Sequence, residues 1–188
     1  MWFLRINMSD RTHHLTEVPE KYQKLAGRAL TSNLIADEVP PQAHPLGANN
    51  KLVFSPGFVT GTTAPTSSRI SVGGKSPLTG GIKESNAGSR WAQKIAKMGI
   101  KALIVEGQPE EKEKFWGVLI HWDEESQQPK LEWFDATEYT GQDLYEIYPK
   151  IYEHFEDRRI SVCSIGTASE HGYGNAGGQT AAACSQWS

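Results

Sequence analysis

The sequence predicts an α+β fold for a chain of 188 residues, which is the size of one domain. Short apolar runs of strand length, such as residues 102–105 and 160–165, are spread along the chain. Segments with the apolar spacing of helices lie between the strands, but they do not alternate regularly with them. This irregular order favours a mixed sheet with separate helices over a series of strand–helix–strand units.

The first 55 residues predict three strands and two helices. A turn at Ser9-Asp10 separates the first two strands, and Gly27 breaks the helical region in two. Pro40-Pro41 ends the second helix, because proline cannot continue a helix. The predicted elements are strands at residues 2–8, 12–17 and 51–55, and helices at residues 20–26 and 29–38.

Residues 56–88 are dense in Gly, Ser, Thr and Pro, a composition also found in flexible linkers. Residues 69–72 inside this stretch alternate like a strand, which favours a rigid series of turns joining short strands. A helix is predicted over residues 89–98, because Trp91, Ile95 and Met98 fall on one face. Gly99 then ends the helix.

The remainder of the chain predicts a buried strand, a hairpin, a helix and a final strand. Thr140 is a candidate N-cap for the helix, and we expect Pro149 to kink or restart it. The predicted strands are residues 101–107, 115–122, 130–134 and 159–165, and the helix extends to about residue 155.

Composition excludes several classes of function. The formal net charge is −3 with mixed signs and no basic stripe, so we expect no nucleic-acid partner. No apolar run is long enough for a membrane span, and the N-terminus lacks the features of a signal peptide, which predicts a cytoplasmic protein. The two cysteines, Cys163 and Cys184, cannot by themselves hold an iron–sulfur cluster or a structural zinc site.

The segment that carries chemistry lies in the glycine-rich stretch. Glycines allow close approach of the backbone to a ligand, and consecutive N–H groups in turns bind anions. Arg69 can offer a forked pair of donors to a phosphate, and Asn86-Ala87-Gly88 precedes a predicted helix, whose N-terminus also favours phosphate. These residues predict a pocket for a phosphorylated cofactor, although an ordinary surface loop region is also consistent with the pattern.

A second motif in this stretch is misleading. Gly74-Lys75-Ser76 resembles the end of a nucleotide-binding P-loop, but that loop requires a glycine where Arg69 stands and a helix directly after Lys-Ser. Pro77 biases Ser76 away from helical geometry, so nucleotide hydrolysis is not expected.

The order of motifs resembles the N-terminal domain of the tungsten-containing aldehyde ferredoxin oxidoreductase family. Each motif is weak alone, but their number and order over residues 3–175 are specific. We place this domain at residues 1–177, with residues 178–188 as a tail that matches no family pattern. The matching segments are Leu4–Ser9, Ala26–Leu30, Glu38–Pro41, Asn50–Phe54, Thr60–Pro65, Lys75–Gly80, Asn86–Gly88 and Ala102–Gly107.

The resemblance implies a domain of two similar β-sheet-plus-helix halves that forms the base under a tungsten or molybdenum bis-pyranopterin. It also implies a Mg²⁺ ion between the pterin phosphates. By resemblance, Arg69 contacts pterin phosphate, Asn86 helps to hold Mg²⁺ through an oxygen, and Gly88 presents backbone to the pterin. The family oxidises aldehydes to carboxylic acids and passes electrons to ferredoxin, or to an electron-transfer subunit.

The sequence departs from the family pattern in its last part. Thr167-Ala168-Ser169-Glu170 stands where Pro-Ala-Gly-Glu is expected, and the family's later Arg-Gly-Gly run is absent. The ligands of the family's [4Fe-4S] cluster and its catalytic residues belong to later domains, so no catalytic residue is predicted here.

Three functions remain open at this stage: a part of an aldehyde oxidoreductase, a non-catalytic pterin-binding remnant, and an interaction module without cofactor. We also expect self-association, because the missing domains would otherwise cover an apolar face.

Overall fold

The computed structural model describes residues 1–111 and 114–171. It has the predicted α+β architecture, with a six-stranded sheet, a separate two-stranded sheet, and helices packed on both. The strands are β1 (Trp2–Asn7), β2 (Thr12–Glu17), β3 (Lys51–Pro56), β4 (Arg69–Lys75), β5 (Ile82–Gly88), β6 (Ile100–Glu106), β7 (Trp116–Asp123) and β8 (Gln128–Asp135). The helices are α1 (Gly27–Glu38), α2 (Arg90–Lys97), α3 (Leu144–His154) and α4 (Thr167–Glu170).

The large sheet has the strand order β2-β1-β6-β3-β4-β5. β1 and β6 are parallel, and the other neighbouring pairs are antiparallel. β6 (IKALIVE) is buried along its length, as expected for an apolar strand covered on both faces. β5 forms one edge of the sheet, next to β4.

Helix α1 covers one face of the large sheet. Leu30, Leu34 and Ile35 from this helix pack with Val53 of β3 and Ile104 of β6. The opposite face packs against α2 and the β7–β8 hairpin, through Phe54, Ile95 and Leu131 among others. Side chains that alternate along β3 and β6 therefore enter two separate cores.

Helix α3 packs against the hairpin and forms a smaller core. Ile147 and Ile151 are buried there and contact Phe134. The side chain of Asp143 accepts hydrogen bonds from the first-turn backbone, and Glu146 completes a capping box, so Asp143 replaces the predicted cap Thr140. α3 continues through Pro149 and does not restart there.

A half-buried charge cluster joins the first strand to the end of α1. The guanidinium of Arg5 forms two hydrogen bonds with the carboxylate of Glu38, at 2.9 and 2.6 Å. The Nζ atom of Lys51 lies 2.9 Å from Glu38 and 2.5 Å from Glu106. These contacts tie β1, β3, β6 and α1 together at one end of the large sheet.

Two predicted elements are wrong, and two of the strands and α-helices given above, β5 and the short α4, were not predicted. Residues 20–26 form only a short 3₁₀ turn at Glu20–Tyr22, and residues 159–165 are not a strand. Ile160 and Val162 nevertheless pack into the small core, so their apolar pattern reflects burial without strand pairing. β5 was not predicted, because Ile82–Gly88 is mostly polar and lies at an exposed edge.

Every helix in residues 1–111 and 114–171 is too short or too polar to cross a lipid bilayer. The predicted tail, residues 178–188, lies outside the described residues.

Candidate functional site

The predicted cofactor residues meet on the antiparallel pair β4–β5. Arg69 is the register partner of Gly88, and Ser71 is the partner of Asn86. Ile70 points into the core on the α2 side, so by alternation Arg69 and Ser71 face the α1 side. Arg69, Asn86 and Gly88 are therefore neighbours on one face at one end of the sheet, and all three are exposed.

Gly88 leaves room for close approach to its backbone. A Cβ atom at this position would lie 3.2 Å from the carbonyl oxygen of Ser68, which is tighter than ordinary contact. The backbone N–H of Ser89 donates to the same oxygen, and the Ser68 hydroxyl donates to the carbonyl of Ser89. The Gly88–Ser89 backbone is thus fastened against residue 68 without a side chain at position 88.

Hydrogen bonds hold the end of the loop before β4 in place. The hydroxyl of Thr60, which is 6% exposed, donates to the carbonyl oxygens of Ser67 and Arg69 at 2.7 and 2.9 Å. The backbone N–H of Gly57 also donates to the Arg69 carbonyl. These bonds fix the backbone of Arg69 at the start of β4, and so they fix the point from which its side chain extends.

Asn86 is oriented by its neighbour on β4. The Ser71 hydroxyl donates to Oδ1 of Asn86 at 2.6 Å, and Ser71 is itself buried. Ser55 extends this polar row onto β3, where its hydroxyl accepts from the backbone N–H of Gly27 at the start of α1. An amide oxygen has two lone pairs, so Oδ1 of Asn86 can accept from Ser71 and still coordinate a cation.

An open depression of about 520 Å³ lies where β4, β5 and α2 meet. Ser89 is the N-cap of α2, and its hydroxyl accepts from the backbone N–H of Ala92 at 3.3 Å. Arg90 is the first residue of the helix. The depression is lined by Thr66, Ser68, Arg69, Gly88, Ser89, Arg90 and Gln93.

The donor set of this depression fits an anionic group. Two guanidinium groups and several hydroxyl and amide groups line it, and it contains no carboxylate. Among residues 1–111 and 114–171, neither Arg69 nor Arg90 forms an ion pair with an acidic side chain. The described part of the chain also has no group of three His, Cys, Asp or Glu side chains that could hold a metal ion.

Sequence reasoning missed Ser71 and Arg90. Ser71 could have been found only with the register of β4 against β5, which depends on the unpredicted strand. Arg90 follows Gly88-Ser89 directly and could have been selected as a basic residue at a predicted helix start.

A larger cavity of about 570 Å³ lies between the large sheet and the hairpin. Its lining is mainly apolar, with Phe54, Trp91 and Val118 among the contributors, and none of the predicted cofactor residues lines it. His121 and Glu132 lie at this cavity with 3.1 Å between Nε2 and Oε1. The depression beside Arg69 remains the better candidate, because it contains the anion-binding groups.

Comparison with known proteins agrees with the motif order in the sequence. The sequence model described as "Aldehyde ferredoxin oxidoreductase, N-terminal domain" matches residues 3–184. The chain belongs to this family. Within the aldehyde ferredoxin oxidoreductase family, curated relatives are about one-third identical to the chain over the aligned residues. The tungsten-containing aldehyde ferredoxin oxidoreductase of Thermococcus kodakarensis is 34% identical over 171 residues. That of Pyrococcus furiosus is 33% identical over 171 residues.

Both alignments cover 90% of the chain but 27% of the relative, so the chain spans about a quarter of the relatives' length.

A solved structure adds support for the fold. A chain of the active site complex BamBC of benzoyl coenzyme A reductase, in complex with 1,5-dienoyl-CoA, superposes with a TM-score of 0.80 at 25% identity. The superposition covers 89% of this chain and 25% of that one.

Proposed function

We propose that the chain forms the base on which a tungsten-containing pterin cofactor rests in an aldehyde-oxidising enzyme. The observation that carries this proposal is the pairing of Arg69 with Gly88 at an anion-binding depression, with Asn86 on the same strand and face. The relatives are named as tungsten-containing enzymes, and the choice of metal in this proposal rests on those names. Molybdenum in place of tungsten remains an alternative.

Each residue has a distinct task in holding the cofactor. Arg69 offers two parallel N–H donors to a pterin phosphate, a geometry that a lysine cannot provide. Gly88 lets the pterin approach the backbone. Asn86 offers an oxygen to Mg²⁺, which is often held by few protein ligands together with phosphate oxygens.

The cofactor, when bound, supplies the redox chemistry that converts an aldehyde to a carboxylic acid. The residues of this chain orient it and neutralise its charge, and none of them is assigned a catalytic role. We further propose that domains absent from this sequence supply the catalytic residues and the ligands of a [4Fe-4S] cluster. Ferredoxin or an electron-transfer subunit would accept the electrons, in the cytoplasm. The proposed domain is residues 1–177, followed by the tail 178–188.

Elemental analysis tests this proposal directly. The chain would be expressed with tungstate and molybdate and purified without oxygen, and metal and released pterin would be measured per chain. We expect metal and pterin in the wild-type chain and in Arg158→Gln, which removes an exposed arginine outside the site. We expect a clear loss in Arg69→Gln. A folded wild-type chain without metal or pterin would contradict the proposal and favour a non-catalytic interaction module.

A further inference from the structure

Lys101 is a buried lysine near the start of β6. Among the lysines in residues 1–111 and 114–171 it alone is buried, with 7% of the residue exposed. Its Nζ atom donates to the carbonyl oxygen of Gln23 at 2.6 Å and lies 4.9 Å from the centre of the Phe58 ring. No acidic side chain of these residues forms an ion pair with it. Lys101 therefore lacks the carboxylate partner that a buried charge usually has.

A β-bulge sets the direction of the Lys101 side chain. β1 pairs Trp2 with Ile100 and Phe3 with Ala102, so Lys101 is an extra residue in this ladder. Such an extra residue changes the direction in which a side chain points. Because β3 is antiparallel to both β4 and β6, Lys101 lies at the end of the sheet at which β4 also begins.

The ring of Phe58 covers the amine of Lys101 from the solvent side. Phe58 is 62% exposed, so its ring is not packed into a core. It lies in the loop after β3, in which Gly57 and Thr60 donate hydrogen bonds to the carbonyl oxygen of Arg69. A small molecule can therefore reach Nζ of Lys101 by displacing a ring that is already largely in solvent.

The surroundings of Lys101 favour the uncharged amine over the ammonium ion. Burial lowers the pKa of Lys101, and no ion pair with a described residue opposes that effect. Burial also lowers the pKa of Lys94, but Lys94 is exposed and the negative charge of Asp157 favours its ammonium form. The uncharged amine is the nucleophilic form of lysine and reacts with carbonyl compounds.

We propose that Lys101 is a reversible site of covalent modification by small aldehydes, which form an imine with its Nζ atom. The lone pair of the uncharged amine attacks the carbonyl carbon, and one proton moves from the nitrogen to the former carbonyl oxygen. The resulting carbinolamine loses water, made from its hydroxyl group and the second N–H proton, as the C=N bond forms. The step needs no oxidant or reductant, and water reverses it.

This inference draws on the proposed function for the class of compound, because an aldehyde-oxidising enzyme works in the presence of aldehydes. It also goes beyond that function, since the chemistry at Lys101 needs neither metal nor pterin. An adduct displaces the ring of Phe58, which lies in the loop that holds the backbone of Arg69.

Reductive trapping with propanal tests the inference. The full chain would be treated at neutral pH with propanal and cyanoborohydride, which reduces an imine to a stable secondary amine. Mass spectrometry of chymotryptic peptides would then locate the alkylated lysines. We expect Lys101 to be alkylated several-fold faster than the exposed Lys83 and Lys97 of the same chain. In guanidinium chloride, where the chain is unfolded, the three lysines should react at similar rates.

Lys101→Arg is the matched variant, because it keeps a cation beside Gln23 and Phe58 but forms no imine under these conditions. Circular dichroism establishes that it is folded. It should lose the fast-reacting site, while Lys83 and Lys97 react as in wild type. Alkylation of Lys101 no faster than that of Lys83 and Lys97 in the folded chain would overturn the inference, as would a preference that persists in guanidinium chloride. An adduct formed without cyanoborohydride that survives removal of the propanal would also overturn it.

The outcomes for this inference and for the proposed function are separable. If the chain retains metal and pterin but Lys101 shows no preference, the inference fails and the proposed function stands. If Lys101 is alkylated first but the chain retains no metal or pterin, the inference stands and the proposed function fails.

Discussion

The hydroxyl of Ser71 on β4 donates a hydrogen bond to the side-chain oxygen of Asn86 on β5, with 2.6 Å between the two oxygens. Ser71 is 4% exposed, whereas Asn86 is exposed to solvent. The buried residue therefore orients the exposed one, and the oxygen proposed for Mg²⁺ is directed by a side chain beneath it.

Replacing Ser71 by alanine should loosen Asn86 with little damage to the fold. We expect a loss of about 1 kcal/mol in the free energy of unfolding, because one hydrogen bond is removed and water can replace it at the exposed oxygen. Urea unfolding measures this loss. Ser85→Ala, at an exposed position on β5, is the control and should change stability less. A loss no larger than that of the control would mean that the Ser71–Asn86 bond contributes nothing.

The Arg5–Glu38–Lys51 cluster should make the chain sensitive to acid. Burial raises the pKa of Glu38, but hydrogen bonds from Arg5 and Lys51 and their positive charges outweigh it, so the pKa is lowered from 4.5. A lowered pKa in the folded chain means that ionised Glu38 stabilises the fold at pH values above the ordinary pKa of a glutamate side chain. That stabilisation is lost as the pH falls through the lowered value.

Glu38→Gln tests this dependence. We expect it to cost about 2 kcal/mol at pH about 7, with a smaller difference from wild type at pH about 3, where the unfolded chain has already taken up the proton on Glu38. Urea unfolding at both pH values gives the comparison, and Glu17→Gln, at an exposed position on β2, is the control. A difference that is the same at both pH values would show that charge is not the cause.

Gly73 on β4 is required by the close packing of α1. A Cβ atom at this position would lie 2.7 Å from Cβ of Thr31, which is fully buried. Gly73→Ala should therefore push α1 away from β4 and cost about 1–3 kcal/mol. Thermal unfolding measures the loss. Gly81→Ala, where the nearest atom would be 3.7 Å away, should be nearly neutral, and equal effects of the two would refute the packing argument.

Arg28 and Glu84 form an ion pair beside the site in which one side chain is exposed and the other is largely buried. Nε of Arg28 lies 2.9 Å from Oε2 of Glu84, and the Arg28 side chain is 72% exposed while that of Glu84 is 9% exposed. Oε1 of Glu84 is buried without a hydrogen-bond partner. The carboxylate therefore depends on one exposed partner.

Arg28→Ala should destabilise the fold by about 1–3 kcal/mol, because it leaves a buried carboxylate unpaired. Adding Glu84→Leu should recover most of this loss, since an apolar side chain of similar size needs no partner. Chemical unfolding of both single variants and the double variant gives the coupling between the two residues. Additive effects would mean that the ion pair is not what holds Glu84 in place.

The fold class and most strands were predictable, because the alternation of apolar and polar residues along a strand indicates which of its faces is buried. The α+β prediction is confirmed, and the helix over residues 89–98 appears as Arg90–Lys97 with its Ser89 cap. The strand at residues 159–165 failed because Ile160 and Val162 gain burial from α3 and the hairpin without backbone pairing. Local sequence cannot distinguish these two ways of burying an apolar run.

The site was predictable as a set of residues but not as an arrangement. Arg69, Asn86 and Gly88 were selected by residue type and family resemblance, and their roles in binding remain predictions. Their convergence depends on β5, an edge strand whose polar sequence gives no alternating signal. Arg90 joins the depression only because α2 begins immediately after that strand.

The parallel pairing of β1 with β6 has a consequence for how the chain is made. Residues 2–7 pair with residues 100–106, so the first strand synthesised waits for one of the last strands of the sheet. Until β6 leaves the ribosome, β1 has only the β2 hairpin as a partner, and an isolated hairpin is marginally stable. β6 also separates β1 from β3, so the strands that carry Arg69 and Asn86 cannot join the first hairpin earlier. The strands β3, β4 and β5 are therefore joined to the first hairpin only late in biosynthesis, once β6 has been made.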